Sequence, residues 1–155
     1  MTRESSTESL PEDPNALARR VASGMFANDQ ASQSLGMKIR SVGPGAAELT
    51  MTVRADMLNG HAICHGGYIF TLADSTFAFA CNSYNFNTVA QGGAIDFLAP
   101  AREGDVLVAT GRERSLGGRT GVYDIEVRNQ RGETIALFRG KSYRIKGHVV
   151  PPAVT

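Results

Sequence analysis

Asp74 stands in the run His65 to Ala80, where the other side chains are apolar, small, aromatic or hydroxyl-bearing. Between Met57 and Ala101 there is no Lys, Arg or Glu, and the only other carboxylate is Asp96. A carboxylate in such surroundings is costly to desolvate unless it is hydrogen-bonded, protonated or chemically employed. Eight residues earlier comes Gly66, followed by Gly67. Backbone N–H groups at a helix start can donate to the charge that gathers on an attacked carbonyl oxygen, with the helix dipole behind them. Glycine, having no Cβ, lets such a carbonyl approach the backbone closely. The carboxylate can then act as general base for water or as a nucleophile forming a mixed anhydride. These residue types suit hydrolysis of an activated acyl group.

Plainer readings compete with this one. Thr71, Ser75 or backbone amides could satisfy Asp74 as a structural buried carboxylate, and the double glycine could be a turn, although two glycines entering a buried helix are costly without a reason. His61, Cys64 and His65 are zinc-ligand types, but their spacing forms no standard zinc pattern and no second Cys/His pair follows, so no metal is expected. Cys64 reads as small packing in the loop before the helix. Asp96, between Ile95 and Phe97, reads as a residue of the sheet or of a subunit interface.

The element that must carry Asp74 is the stretch Tyr68 to Cys81, apolar nearly all round and long enough for about four turns of a buried helix. On one helix Gly66 and Asp74 lie about 12 Å apart along the axis, too far for both to touch one carbonyl. A neighbouring subunit could close the gap. Before this helix, Ala47, Leu49, Met51 and Val53 alternate with polar residues as a half-buried strand after the turn Gly43-Pro44-Gly45. After it, Tyr123, Ile125 and Val127 do the same, flanked by Asp105 to Arg114 and Glu133 to Ile145, with hairpin signals at Leu116-Gly117-Gly118 and 129–132. Two strands, a central helix and a meander of long strands make an α+β layout whose sheet curves around the helix. Pro14, capped by Asp13, opens an earlier helix with Leu17, Val21 and Met25 on one stripe, and a short turn covers Gln30 to Leu35.

The 155 residues fit one domain, 14–147, between a disordered tail at 1–13 and a C-terminal tail at 148–155. A net charge of +1 gives no electrostatic signal for nucleic acid or membrane. Two cysteines are too few for a disulfide framework, and the polar first fifteen residues contain no signal or anchor pattern. A cytoplasmic protein is expected.

Taken in order, Leu58-Asn59-Gly60-His61, Cys64-His65-Gly66-Gly67, Leu72-Ala73-Asp74 and Phe77 to Asn82 resemble the hotdog-fold acyl-CoA thioesterases of the phenylacetate-degradation (PaaI) type. Ala94 to Pro100, Thr120 to Ile125 and Leu137 to Ser142 extend the resemblance across roughly residues 30 to 146. It implies a helix wrapped by an antiparallel sheet, edge-to-edge dimers, usually a dimer of dimers, and active sites at the dimer interface. Asp74 matches the catalytic carboxylate, Gly66 the backbone donor, and His65 and Asn59 the supporting positions. The implied reaction is hydrolysis of an aryl- or hydroxyphenylacetyl-CoA without metal or organic cofactor. Where some members carry a Ser or Thr eighteen residues after the carboxylate to position water, this chain has Gly92, leaving Ser75 or Asn59 to substitute. Gly67, Leu58, Phe70, Ser75 and Phe77 are candidate substrate contacts. Arg119 and Thr120 lead the candidates for the coenzyme phosphates or pantetheine, with Arg139, Lys141 and Arg144 behind them. A hotdog hydratase pairing His65 with Asp74, and a non-catalytic acyl-CoA sensor, are the alternatives.

Overall fold

The computed structural model describes residues 10–153. Residues 1–9 of the expected N-terminal tail therefore lie outside the described part, as do 154 and 155 of the C-terminal one. Asp13 caps helix α1 (Pro14–Asn28), its Oδ2 accepting the Ala16 N–H at 2.9 Å. The face that α1 buries is Ala18, Val21 and Ala22, shifted one residue from the expected stripe because Leu17 is only partly covered. A short helix, α2 (Gln30–Ser34), follows and ends where Gly36 takes a positive φ of 69°.

Six antiparallel strands form one sheet: β1 (Lys38–Gly43), β2 (Ala46–Thr52), β3 (Phe86–Phe97), β4 (Val106–Gly117), β5 (Thr120–Arg128) and β6 (Thr134–His148). Their order is β1-β2-β4-β5-β6-β3, so β4 to β6 are the expected meander, β2 pairs against β4, and β3 returns to the far edge beside β6. Strand β6 continues to His148, and Val150 is tied back by a two-way pair of hydrogen bonds with the Asn85 side chain.

The central helix α3 (Gly66–Cys81) lies in the concavity of this sheet. Leu49, Met51, Leu107, Ile125 and Ile135 are all but fully buried from the strand side, along with Leu72 and Phe77 from the helix. Each such side chain contributes about 1.5–3 kcal/mol by leaving water. The wrap is tight. A Cβ on Gly140 of β6 would lie 2.8 Å from the Phe77 ring, so only glycine lets that strand cross the helix there. Asn82 ends α3 with its side chain: Nδ2 donates to the Ala78 and Thr88 carbonyls, and Oδ1 accepts the Thr88 N–H. One side chain thus terminates the helix and starts β3. At the same end the Tyr84 and Tyr123 hydroxyls both donate to Glu113, at 3.0 and 2.9 Å.

Candidate active site

The N-terminus of α3 is built by its own loop. His65 is the N-cap, and its Nδ1 accepts the Gly67 N–H at 2.9 Å, which requires Nδ1 to be the unprotonated ring nitrogen. That bond occupies the Gly67 amide. The Gly66 N–H, at the first helical position, has no partner among the described residues. Helix starts leave such donors open to a ligand. Asn59 organises the preceding loop: its Oδ1 accepts the His61 N–H at 2.9 Å and the Ile63 N–H at 3.4 Å, leaving the amide NH2 to point elsewhere.

Asn59 and Gly66 meet in one cavity of about 570 Å³, closed by Phe97, Leu98, Ala99 and Pro100 at the end of β3. The Phe97 ring lies over Gly66, so close that a Cβ there would be 2.8 Å from Cζ. Phe97 and Leu98 were not anticipated as site residues. Their signal was an apolar pair placed just before Pro100, on a strand the sequence pattern did not reveal.

Asp74 lies in a different cavity, of about 300 Å³, lined by Phe70, Ala90, Gln91, Gly92, Gly93 and Phe138. Burial pushes its carboxyl above the usual range, and the negative charge of Asp29 adds to the effect. No hydrogen bond from a described residue reaches the Asp74 carboxylate to offset these effects. Within one chain Asp74 and Gly66 are therefore not brought together, in agreement with the separation expected along the helix. Ala90 to Gly93 belong to β3, an edge strand whose outer N–H and C=O groups are unpaired by the sheet.

The other candidates fall in several places. Phe70 lines the Asp74 cavity and packs edge-on against Phe138 at 5.3 Å. Phe77, only 1% exposed, is instead a core residue between Tyr123 and Phe138, because β6 closes over it. Leu58 is partly buried against the core and bridges to Cys64. The Ser75 hydroxyl pairs with Ser32 of α2 at 2.8 Å. The His65 ring and Gly67 face a third cavity, towards α2, with Tyr68 and Thr71. Arg119 and Thr120 sit at the β4–β5 hairpin, where they bond to the Arg144 and Gly117 carbonyls, and they line neither the Gly66 nor the Asp74 cavity. Arg139 is held by a two-pronged ion pair with Asp124 at 2.6 and 2.9 Å, and Arg144 lies over the Phe86 ring at 4.5 Å. Asp96 is exposed on the outer face of the sheet, in a groove with Arg112 and Arg139. Burial pushes the Cys64 thiol up to about 11. Among the described residues no three His, Cys, Asp or Glu side chains converge as a metal site, and no helix is long and apolar enough to cross a membrane.

Residues 61–136 match the family model described as the thioesterase superfamily. The acyl-coenzyme A thioesterase PaaI of Escherichia coli is 52% identical over 132 residues, which are 85% of this chain and 94% of that protein. The chain belongs to the hotdog thioesterase superfamily, in its PaaI branch. The E. coli PaaI structure superposes with a TM-score of 0.87 at 51% identity, covering 88% of this chain and 99% of that one. A Streptococcus mutans protein solved bound to acetyl CoA gives a TM-score of 0.70 at 29% identity, covering 72% and 90%. The six-stranded curved sheet around α3 is thus the hotdog fold, and the PaaI branch makes the protein a thioesterase.

Proposed function

We propose that this protein hydrolyses aryl- or hydroxyphenylacetyl-CoA thioesters to the free acid and coenzyme A, at a site completed by a second copy of the chain. The observation that carries this reading is the division of the chemistry between two cavities along one edge strand. An unpaired Gly66 N–H and the Asn59 amide serve one, and an unbonded Asp74 of raised basicity serves the other. Pairing β3 with the β3 of a second copy removes the exposed edge and sets one subunit's Asp74 against the other's Gly66. The thioester oxygen then receives the Gly66 N–H, with the α3 dipole behind it, as negative charge builds. Asp74 takes a proton from water that attacks the carbonyl carbon, or attacks it directly to form a mixed anhydride, which water then hydrolyses to the free acid and the regenerated carboxylate. In either case the carbon–sulfur bond breaks, the thiolate of coenzyme A leaves, and it is protonated in solvent.

The name of the E. coli relative supports a coenzyme A thioester, and the phenylacetic acid degradation operon named with its structure supports the aryl acyl group. Phe70 beside Asp74 offers an aromatic wall for such a group. The hydratase alternative is weakened because the His65 ring is spent on capping Gly67. A cytoplasmic homotetramer, two edge-paired dimers back to back or face to face, fits this reading.

Mixing inactive subunits tests the shared site. Asp74→Asn and Gly66→Pro chains, co-refolded in equal amounts, give half heterodimers, each with one intact site, so about a quarter of wild-type thiol release returns. Zero recovery in verified heterodimers refutes the cross-subunit arrangement.

A further inference from the structure

The break between α1 and α2 carries a hydroxyl chain that ends beside Asp74. Asp29 caps α2: its Oδ1 accepts the Ser32 N–H at 2.9 Å and its Oδ2 lies 2.6 Å from Ser32 Oγ. Ser32 Oγ is in turn 2.8 Å from Ser75 Oγ on α3, and Ser32 is wholly buried. The direction of this chain follows from its end. An ionised carboxylate only accepts, so the single Ser32 proton goes to Asp29. Ser32 then accepts from Ser75, whose own proton is committed away from Asp74. Ser75 consequently presents lone pairs alone, and it cannot donate to its neighbour's carboxylate.

We propose that Asp29 is a positioning residue for the Asp74 site: through the Ser32–Ser75 hydroxyl pair it fixes the α3 face next to the carboxylate, and it sets a second negative charge behind it. The inference rests on the thioesterase reading above. Asp29 is far from Asp74 in sequence, yet after burial its charge is the one that raises the Asp74 carboxyl. Among the described residues of the same chain, none that lines the Asp74 cavity counters it. From β3 come Ala90, Gln91, Gly92 and Gly93, from β6 Phe138, and from α3 Phe70, none of them charged. Among the described residues, the Cys81 thiol also senses Asp74, and burial above all pushes it up to about 12, so it stays neutral at working pH. A general base is most effective when its basicity approaches the operating pH. Asp29 supplies that increment by charge, and it supplies it again by turning the Ser75 proton away. The cap itself would be served equally by Asn or Ser, so the carboxylate exceeds what the helix start requires.

The test measures kcat and KM for phenylacetyl-CoA hydrolysis across pH, together with thermal stability. Asp29→Asn keeps an acceptor for the Ser32 N–H, removes the charge, and turns an amide donor toward Ser32 Oγ, which reverses the hydroxyl chain. The expected result is an acid limb of kcat/KM moved to lower pH, because Asp74 then remains ionised further down, with little change in Tm. Ser75→Ala leaves the α2 cap and the Asp29 charge in place and carries the test should Asp29→Asn fold poorly. It is expected to lower kcat roughly fivefold, the size of one net hydrogen bond, with KM unchanged. An unmoved acid limb in folded Asp29→Asn, or wild-type kcat in Ser75→Ala, overturns the inference. Asp74→Asn in the same series separates the two levels. If it keeps wild-type turnover the catalytic reading falls, whereas if it is inactive, a failure of the other variants belongs to Asp29 alone.

Discussion

The assignment of the Gly66 N–H as the donor to the thioester oxygen can be isolated by two substitutions at one position. Gly66 is the first residue of α3, preceded by His65 at φ −61° and ψ 131°. Proline is favoured at that helical position, where its missing N–H breaks no helical bond, and an extended preceding residue is what it demands. Gly66→Pro therefore deletes the donor while suiting the backbone. Its Cβ would meet the Phe97 ring at 2.8 Å, but Gly66→Ala places the same Cβ and retains the N–H, so the alanine variant is the control. Phe97 is 52% exposed in the single chain. Each variant should remain within about 1 kcal/mol of wild-type stability, the strain being offset by the replacement of glycine in a helix. The difference in kcat between them then reports the donor alone. Removing one such donor costs about 100- to 1000-fold, or roughly 2.7–4 kcal/mol. Release of coenzyme A, followed with a thiol reagent under saturating substrate, measures it, and melting by circular dichroism verifies the folds. Equal kcat for the proline and alanine variants would refute the role given to this amide.

Three further outcomes follow from the same geometry. Because burial raises the Asp74 carboxyl in the folded chain, the folded state holds its proton more tightly than the unfolded one. Stability then falls as pH rises through the window above the ordinary carboxylate range. Asp74→Asn should abolish turnover yet melt on the order of a degree or two higher than wild type at neutral pH, a gain that disappears near pH 4; a lower Tm at pH 7 contradicts this. Gly92 lines the Asp74 cavity with open space where a Cβ would stand, so Gly92→Ser should fold with a Tm equal to wild type or slightly higher, and a loss of more than about 5 °C would contradict the open position. With its thiol pushed up to about 11 by burial, Cys64 is ionised at pH 8 to only about one part in a thousand. Cys64→Ala should keep kcat within about twofold, and inactivation of the native enzyme by iodoacetamide at the rate of a free thiol would argue against that.

The parts of the fold that face one way were legible in the sequence. β2 and β5 bury every second residue, α3 is apolar on all sides and buries half of its residues, and Asp13, Pro14 and the glycine turns mark ends with residue types that have few alternatives. Strand β3 was not legible. From Val89 to Ala94 it is exposed on both faces at the sheet edge, so no period of two is written into it. The aromatic residues show a second limit. Phe70 and Phe77 are seven residues apart on nearly the same face of α3, and both touch Phe138. One lines the Asp74 cavity and the other is core, because Gly140 of β6 presses on Phe77 and no strand covers Phe70 to the same depth. Helical period gives the direction of a side chain but not what the sheet places in front of it.

The same reasoning explains why the site was only half readable. Asp74 and Gly66 announced themselves by type, since a lone carboxylate and a double glycine each need a reason to be there, whereas Asn59 came only from the family resemblance. Asp29 and Ser32 did not, because Asp followed three residues later by Ser reads as an ordinary helix cap. Only the meeting of α2 with α3 turns that cap into a neighbour of Asp74. The unreadable half lies on elements joined by tertiary contact alone: the α1–α2 break on one side of the carboxylate and β3 on the other. An unpaired edge next to an unbonded base is costly for a monomer on both counts, and a single event, edge pairing with a second copy, relieves the first while giving the second its substrate. That coincidence is the strongest physical reason to expect the folded dimer, rather than the folded chain, to be the unit that turns over.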